Sequence, residues 1–233
     1  MSANSSLEFS LVCQLLENLS CSTSQHLSET GIQAWFQQHG AAIDRKGPGG
    51  LALLSCLLPE KRADRVYGLS RARLEEIVAQ SQGFGHSRLY ELRRLQDGDG
   101  LDLASAIEQS LAVTDDPTTP VRPMMIQDIN DTLDRVAASC EFSSPDYRGA
   151  AQPGSIDSRT NLIRAFRRMC SVEAKWLVRL LLKDLRPAVM PVPLTLRLFH
   201  FMLPDLLRTR NTLSEVLESK YARRLVFVVA RVA

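Results

Sequence analysis

A chain of 233 residues with 45% hydrophobic and 23% charged side chains carries enough apolar material for a sizeable core. No apolar run approaches the roughly 20 residues that span a bilayer, and the first basic residue is Arg45, so neither a membrane helix nor a secretory or transit leader is expected. Five scattered cysteines with no Cys-x-x-Cys pair argue against a disulfide scaffold or a zinc site and are expected as small buried hydrophobes.

In chain order, Leu7, Phe9, Leu11, Val12, Leu15, Leu16 and Leu19 recur at helical spacing and predict a first amphipathic helix. A polar connector over 20–28 leads to a short second helix bearing Ile32, Trp35, Phe36 and His39 on one face. Gly47-Pro48-Gly49-Gly50 marks a turn, and the apolar run Leu51–Leu58, ended by Pro59, predicts a buried helix. Ser70 is placed to cap a helix running to about Gln82, where Gly83 breaks it. Short helices over 87–95 and 101–113 follow, divided by Asp97-Gly98-Asp99-Gly100. The proline-rich stretch 114–123 is the expected internal seam. A helix over 126–139, a long loop over 141–156, and helices over 158–170, 173–186, 194–202 and 212–222 complete the reading. Only Leu225–Val232 alternates in the manner of a strand. The expectation is an all-α fold, a single multi-helix domain over 1–222, with an unassigned tail over 223–233.

The stretch Glu173–Arg186 organises the charge pattern. At 100° per residue, Lys175, Arg179, Lys183 and Arg186 fall within about 80° of one another, while Trp176, Leu177, Leu180, Leu181 and Leu185 take the opposite side. That pattern predicts a helix sunk in a core, stopped by Pro187, with one narrow cationic strip in water. Arg164, Arg167 and Arg168 add to it from the preceding helix. A net charge of +2 hides a strong asymmetry, since residues 159–233 hold fifteen Lys/Arg against five acids and residues 95–134 hold nine acids against Arg122 alone. Arginine supplies 23 of the 28 basic residues, and its planar fork suits bidentate phosphate contact. The competing reading is a cationic face that balances the acidic segment 95–134 within the same molecule.

Other motifs carry less. Asp97, Asp99 and Glu108 echo a calcium loop, but Leu101 and Asp102 stand where a ligand and the turn glycine belong, so turn and helix-terminus acids are the better account. His26, His39, His86 and His200 have no carboxylate or cysteine at catalytic spacing, and no G-x-S-x-G, P-loop or H-E-x-x-H is present. No catalytic residue and no metal ligand is assigned.

Several collinear stretches resemble the N-terminal domain of eukaryotic ATP-dependent DNA ligases, and most closely DNA ligase IV and its fungal relatives. They are Phe9–Glu17, the leucine-rich run through Pro59-Glu60-Lys61-Arg62-Ala63-Asp64-Arg65-Val66-Tyr67-Gly68, Ser87–Leu92, Asp102–Ala104, Cys140–Pro145, Glu173–Arg186 and Phe199–Leu207. The resemblance implies a helical domain that grips duplex DNA around a nick or end, without sequence preference, in nuclear end joining and recombination. It implies Lys175, Arg179, Lys183, Arg186, Arg164, Arg167 and Arg168 as the phosphate-contacting set. ATP and magnesium would serve adenylation and OB-fold domains expected to be absent from this chain, which is read as a truncated ligase or stand-alone domain, monomeric and inactive alone. Lys220-Tyr221-Ala222-Arg223 lacks the Asp and Gly of the family's K-x-D-G motif. The alternative is an interaction module in which Leu11, Leu15, Trp35 and Phe36 form an apolar groove for an end-processing repair nuclease.

Overall fold

The computed structural model describes residues 7–22, 24–43, 48–115, 123–149, 157–209 and 212–218. Among them the chain is all-α, with one isolated antiparallel bridge between Glu8 and Met125. It divides into two compact units, one built from 1–64, 125–127 and 186–233, the other from 65–124 and 128–185. The expected seam at 114–123 lies within the second unit, and residues 116–122 of it, like the tail 223–233, fall outside the described residues.

The first unit opens with α1 (Phe9–Ser20), whose face of Phe9, Val12, Leu15, Leu16 and Leu19 is buried as its periodicity predicts. Helix α2 (Gln25–His39) starts earlier than its apolar face at Ile32 suggests, because the Ser24 hydroxyl accepts the Leu27 N–H at 3.3 Å and nucleates a polar first half. The expected connector is therefore cut to a few residues. Helix α3 (Pro48–Leu57) is buried nearly all round and runs into a 3-10 turn at Pro59–Lys61. In the same unit, α11 (Val192–Phe199) packs on α2 and on α12 (Leu203–Thr209), which leads to α13 (Leu213–Glu218) against α3.

The second unit contains α4 (Arg71–Gln82), α5 (His86–Asp97), α6 (Leu103–Ala112), most of α7 (Ile126–Ala138), α8 (Pro145–Gly149), α9 (Ser158–Phe166) and α10 (Ser171–Leu182). Ser70 caps α4 by accepting the Arg73 N–H at 3.2 Å, and Gly83, at φ +63°, ends it in the left-handed region. Asp102 caps α6 through the Ser105 N–H at 3.1 Å. Helix α6 packs on α10 and α5, and α9 packs across α4. The core is centred on Trp176, Leu177, Leu180, Phe166, Ile107, Leu74 and Leu92, all fully buried. Helix α8 lies inside the segment that the sequence marks as loop.

Candidate nucleic-acid interface

Helix α10 is the element on which the sequence concentrates its cations. Cys170 is its N-cap, and Ser171 is the first helical residue. Its N-terminus already faces two carboxylates: the Ser171 N–H donates to Asp115 at 3.0 and 3.2 Å, and the Cys170 N–H donates to Glu173 at 3.3 Å. Negative charge there complements the helix dipole, so this terminus is not an open set of donors for a phosphate.

The stripe itself turns inward. Lys175 pairs with Glu108 at 2.8 Å, and one helical turn on Arg179 pairs with Asp102 at 2.9 Å and donates to the Ser105 hydroxyl at 3.2 Å. The ascending order on α10 meets the descending order on α6, so the helices run antiparallel with cations facing acids. Trp176 lies fully buried between them, its ring centroid 5.5 Å from the Lys175 ammonium and 5.4 Å from the Arg179 guanidinium. Lys175 and Arg179 are only 7% and 5% exposed, and the Arg179 Nε is buried with no hydrogen-bond acceptor. The expectation of a cationic strip left in water is thus corrected for these two residues. The physical reason is the competing one: the acids of 95–134 neutralise the stripe from within the molecule.

Nor does the helix reach Arg186. It closes at Leu182 because Lys183 adopts φ +53°, a left-handed cap in which the Lys183 N–H reaches Leu180 O at 3.1 Å and the Asp184 N–H reaches Arg179 O at 3.0 Å. The Lys183 ammonium donates to the Arg65 carbonyl and stands 5.6 Å over the Tyr67 ring. Arg186 is exposed and belongs to the first unit. Lys183 caps the helix and Arg186 lies past its end, so the four cations do not share one helical face.

Helix α9 behaves differently. Arg164, Arg167 and Arg168 are all exposed. Arg167 donates to the Ser81 carbonyl at 3.2 Å, and Arg159, which the sequence reading passed over, donates to Gln80 Oε1 at 2.9 and 2.7 Å. These two share the side of α9 that faces α4. The helix expected over 158–170 ends at Phe166, so Arg164 lies on α9 and Arg168 in the turn past it, and neither meets a carboxylate among the described residues. Their charge is directed to solvent.

Two further arginines escaped notice as site residues although the segment 59–68 holds both. In the first unit, fully buried Arg62 grips Asp64 with two nitrogens, at 2.8 and 3.0 Å, and donates to the Ser55 hydroxyl, while Ser214 donates to Asp64 at 3.0 Å. Burial alone would raise the Asp64 carboxyl, but the hydrogen bonds and charge of Arg62 outweigh it and hold the carboxyl below its ordinary value. In the second unit, equally buried Arg65 pairs with Asp134 at 2.6 Å, donates to Asn130 Oδ1 at 2.7 Å and to the Tyr147 hydroxyl at 3.3 Å, and leaves its Nη1 without an acceptor. The stretch Arg65–Ser70 and the residues Leu181–Lys183 line an open cavity of about 390 Å³. Spacing offered a signal here, since two arginines three apart beside an apolar run rarely end up buried without assigned partners.

The groove proposed from Leu11, Leu15, Trp35 and Phe36 is filled. Leu15, Trp35 and Phe36 are 2%, 8% and 4% exposed, Leu11 is half-buried, and the Trp35 Nε1–H donates to the Leu11 carbonyl at 3.1 Å. Trp35 meets Phe36 edge-on at 5.4 Å. These side chains knit α1 to α2, so the open groove is corrected to a packed seam.

Against known families, the model for the DNA ligase N terminus matches residues 8–191, which is most of the chain. The chain belongs to the DNA ligase N-terminal family. That membership supports a DNA-binding role associated with DNA ligation. No curated protein matches the chain.

Proposed function

We propose that this ligase N-terminal domain holds duplex DNA around a nick or end, as a monomer, by contacts to phosphates that ignore base sequence. The contacting residues are Arg164 on α9, Arg167 and Arg168 just past its end and Lys183 in the second unit, with Arg186 in the first, while Lys175 and Arg179 support the fold of the second unit. The observation that carries this reading is the pair Arg164 and Arg168, two exposed guanidinium groups that meet no carboxylate among the described residues, on a family domain tied to DNA ligation. The nucleotidyl-transfer chemistry, with its ATP and magnesium, is assigned to domains other than this one, and the cellular setting to a ligase IV-like role in nuclear end joining. The packed α1–α2 seam favours DNA over a docked nuclease as the principal partner.

Anisotropy titration of a nicked duplex tests this. Five phosphates neutralised give a slope of log affinity against log salt of roughly −4 to −5. Duplexes of unrelated sequence should give the same affinity. Undetectable or salt-independent binding would overturn the reading.

A further inference from the structure

Lys183 closes α10 as its left-handed cap, and the groups around it set where its ammonium lies. Its ammonium is fixed by the carbonyl of Arg65 and the ring of Tyr67. That carbonyl is in turn fixed by the Arg65 side chain, which reaches α7 at Asp134 and Asn130 and α8 at Tyr147. The next peptide is held as firmly: the Val66 N–H donates to the Ser143 hydroxyl at 3.0 Å, and that hydroxyl donates to Val66 O at 2.9 Å. Gly68 follows at φ +61°, so close to Cys140 that a Cβ would lie 3.1 Å from its Sγ. Asp134 and Asn130 of α7, Tyr147 of α8 and Ser143 of the turn between them thus converge on Arg65 and Val66, and the Arg65 carbonyl receives Lys183.

A guanidinium is a costly way to anchor a backbone. An apolar side chain of equal volume fills the same space with no ion to desolvate, and replacing buried ion pairs by apolar groups is often neutral or stabilising. Here the network is also incomplete, since the Arg65 Nη1 has no acceptor.

We propose that Arg65 is a positioning residue for DNA contact, acting through its carbonyl to aim the Lys183 ammonium. The proposal rests on Lys183 being one of the phosphate contacts. Salt dependence separates this role from a merely structural one, because the slope counts phosphates neutralised and not the stability of the fold. Lys183→Ala should flatten the slope by about 0.9. Arg65→Met should flatten it by the same amount, and the double variant should lose no more than either single one, with circular dichroism unchanged. Lys183 should also react faster with an acylating reagent in Arg65→Met, read by mass spectrometry without DNA. Should Arg65→Met fail to fold, Tyr147→Phe removes one hydrogen bond from the guanidinium and carries the same test. A lowered melting temperature with an unaltered slope, or slope losses that add in the double variant, overturns the inference while leaving DNA binding intact. A wild-type domain that shows no salt-dependent duplex binding overturns both.

Discussion

Helices α9 and α10 are neighbours in sequence, each rich in cations, and a helical wheel treats them alike. Their fates are opposite. On α10 the cations lie in register with Glu108 and Asp102 across an antiparallel partner and are buried beside Trp176. Arg164 on α9 and Arg168 just past its end meet no acid among the described residues and stay exposed. The difference teaches that a cationic stripe becomes a surface only when no acidic helix is folded against it. The deciding residues lie some seventy positions away in the chain.

The sharpest way to break the comparison is to remove the ring between the two buried cations. Trp176→Ala leaves a cavity at the centre of the second unit and should cost about 3–5 kcal/mol in denaturant unfolding. A cost under about 1 kcal/mol would mean that α10 is not the core helix described here. Next comes the contrast between the helices themselves. Arg179→Ala strands a partly exposed Asp102 and should cost about 1–3 kcal/mol. The Arg164→Ala/Arg168→Ala double variant should stay within about 0.5 kcal/mol of wild type. In duplex titrations the ranking should reverse, with the α9 variant flattening the salt slope by about 1.8 and Arg179→Ala leaving it near wild type. Equal behaviour of the two would dissolve the distinction.

The smallest effect concerns Asp64, whose carboxyl is depressed in the folded state. Its ionised form contributes stability that is complete above about pH 4 and is lost as the pH falls through the lower folded value. Asp64→Asn should therefore melt below wild type at about pH 7 and lose less on acidification to about pH 3, measured by calorimetry. Parallel acid profiles would show that the Arg62 grip does not set this dependence.

Much of the fold was legible because its signals are local. Apolar periodicity placed α1, α3, α7 and α10, and Ser70 and Gly83 bounded α4 through a cap and a left-handed turn. Helix α8 and the polar start of α2 were missed because neither shows an apolar face of its own. The candidate site was legible only in its ingredients. Periodicity locates Lys175 and Arg179 on one face but says nothing of what covers that face, and the left-handed Lys183 cap is invisible where a glycine would have announced it. The burial of Arg62 and Arg65 depends on Asp64, Asp134, Asn130 and Tyr147, partners that only the fold brings near.

The antiparallel ladder between α6 and α10 has a consequence for how the domain is made. Its two rungs join residues 67 and 77 positions apart. On a ribosome, α6 emerges long before the helix that neutralises its acids and completes the cover of Leu103, Ala106, Ile107 and Leu111. Until Lys175 and Arg179 are synthesised, its carboxylates keep that amphipathic face hydrated and mutually repelling. Neither rung can form before residue 175 has been made, so the register of α6 against α10 is set only once α10 is present.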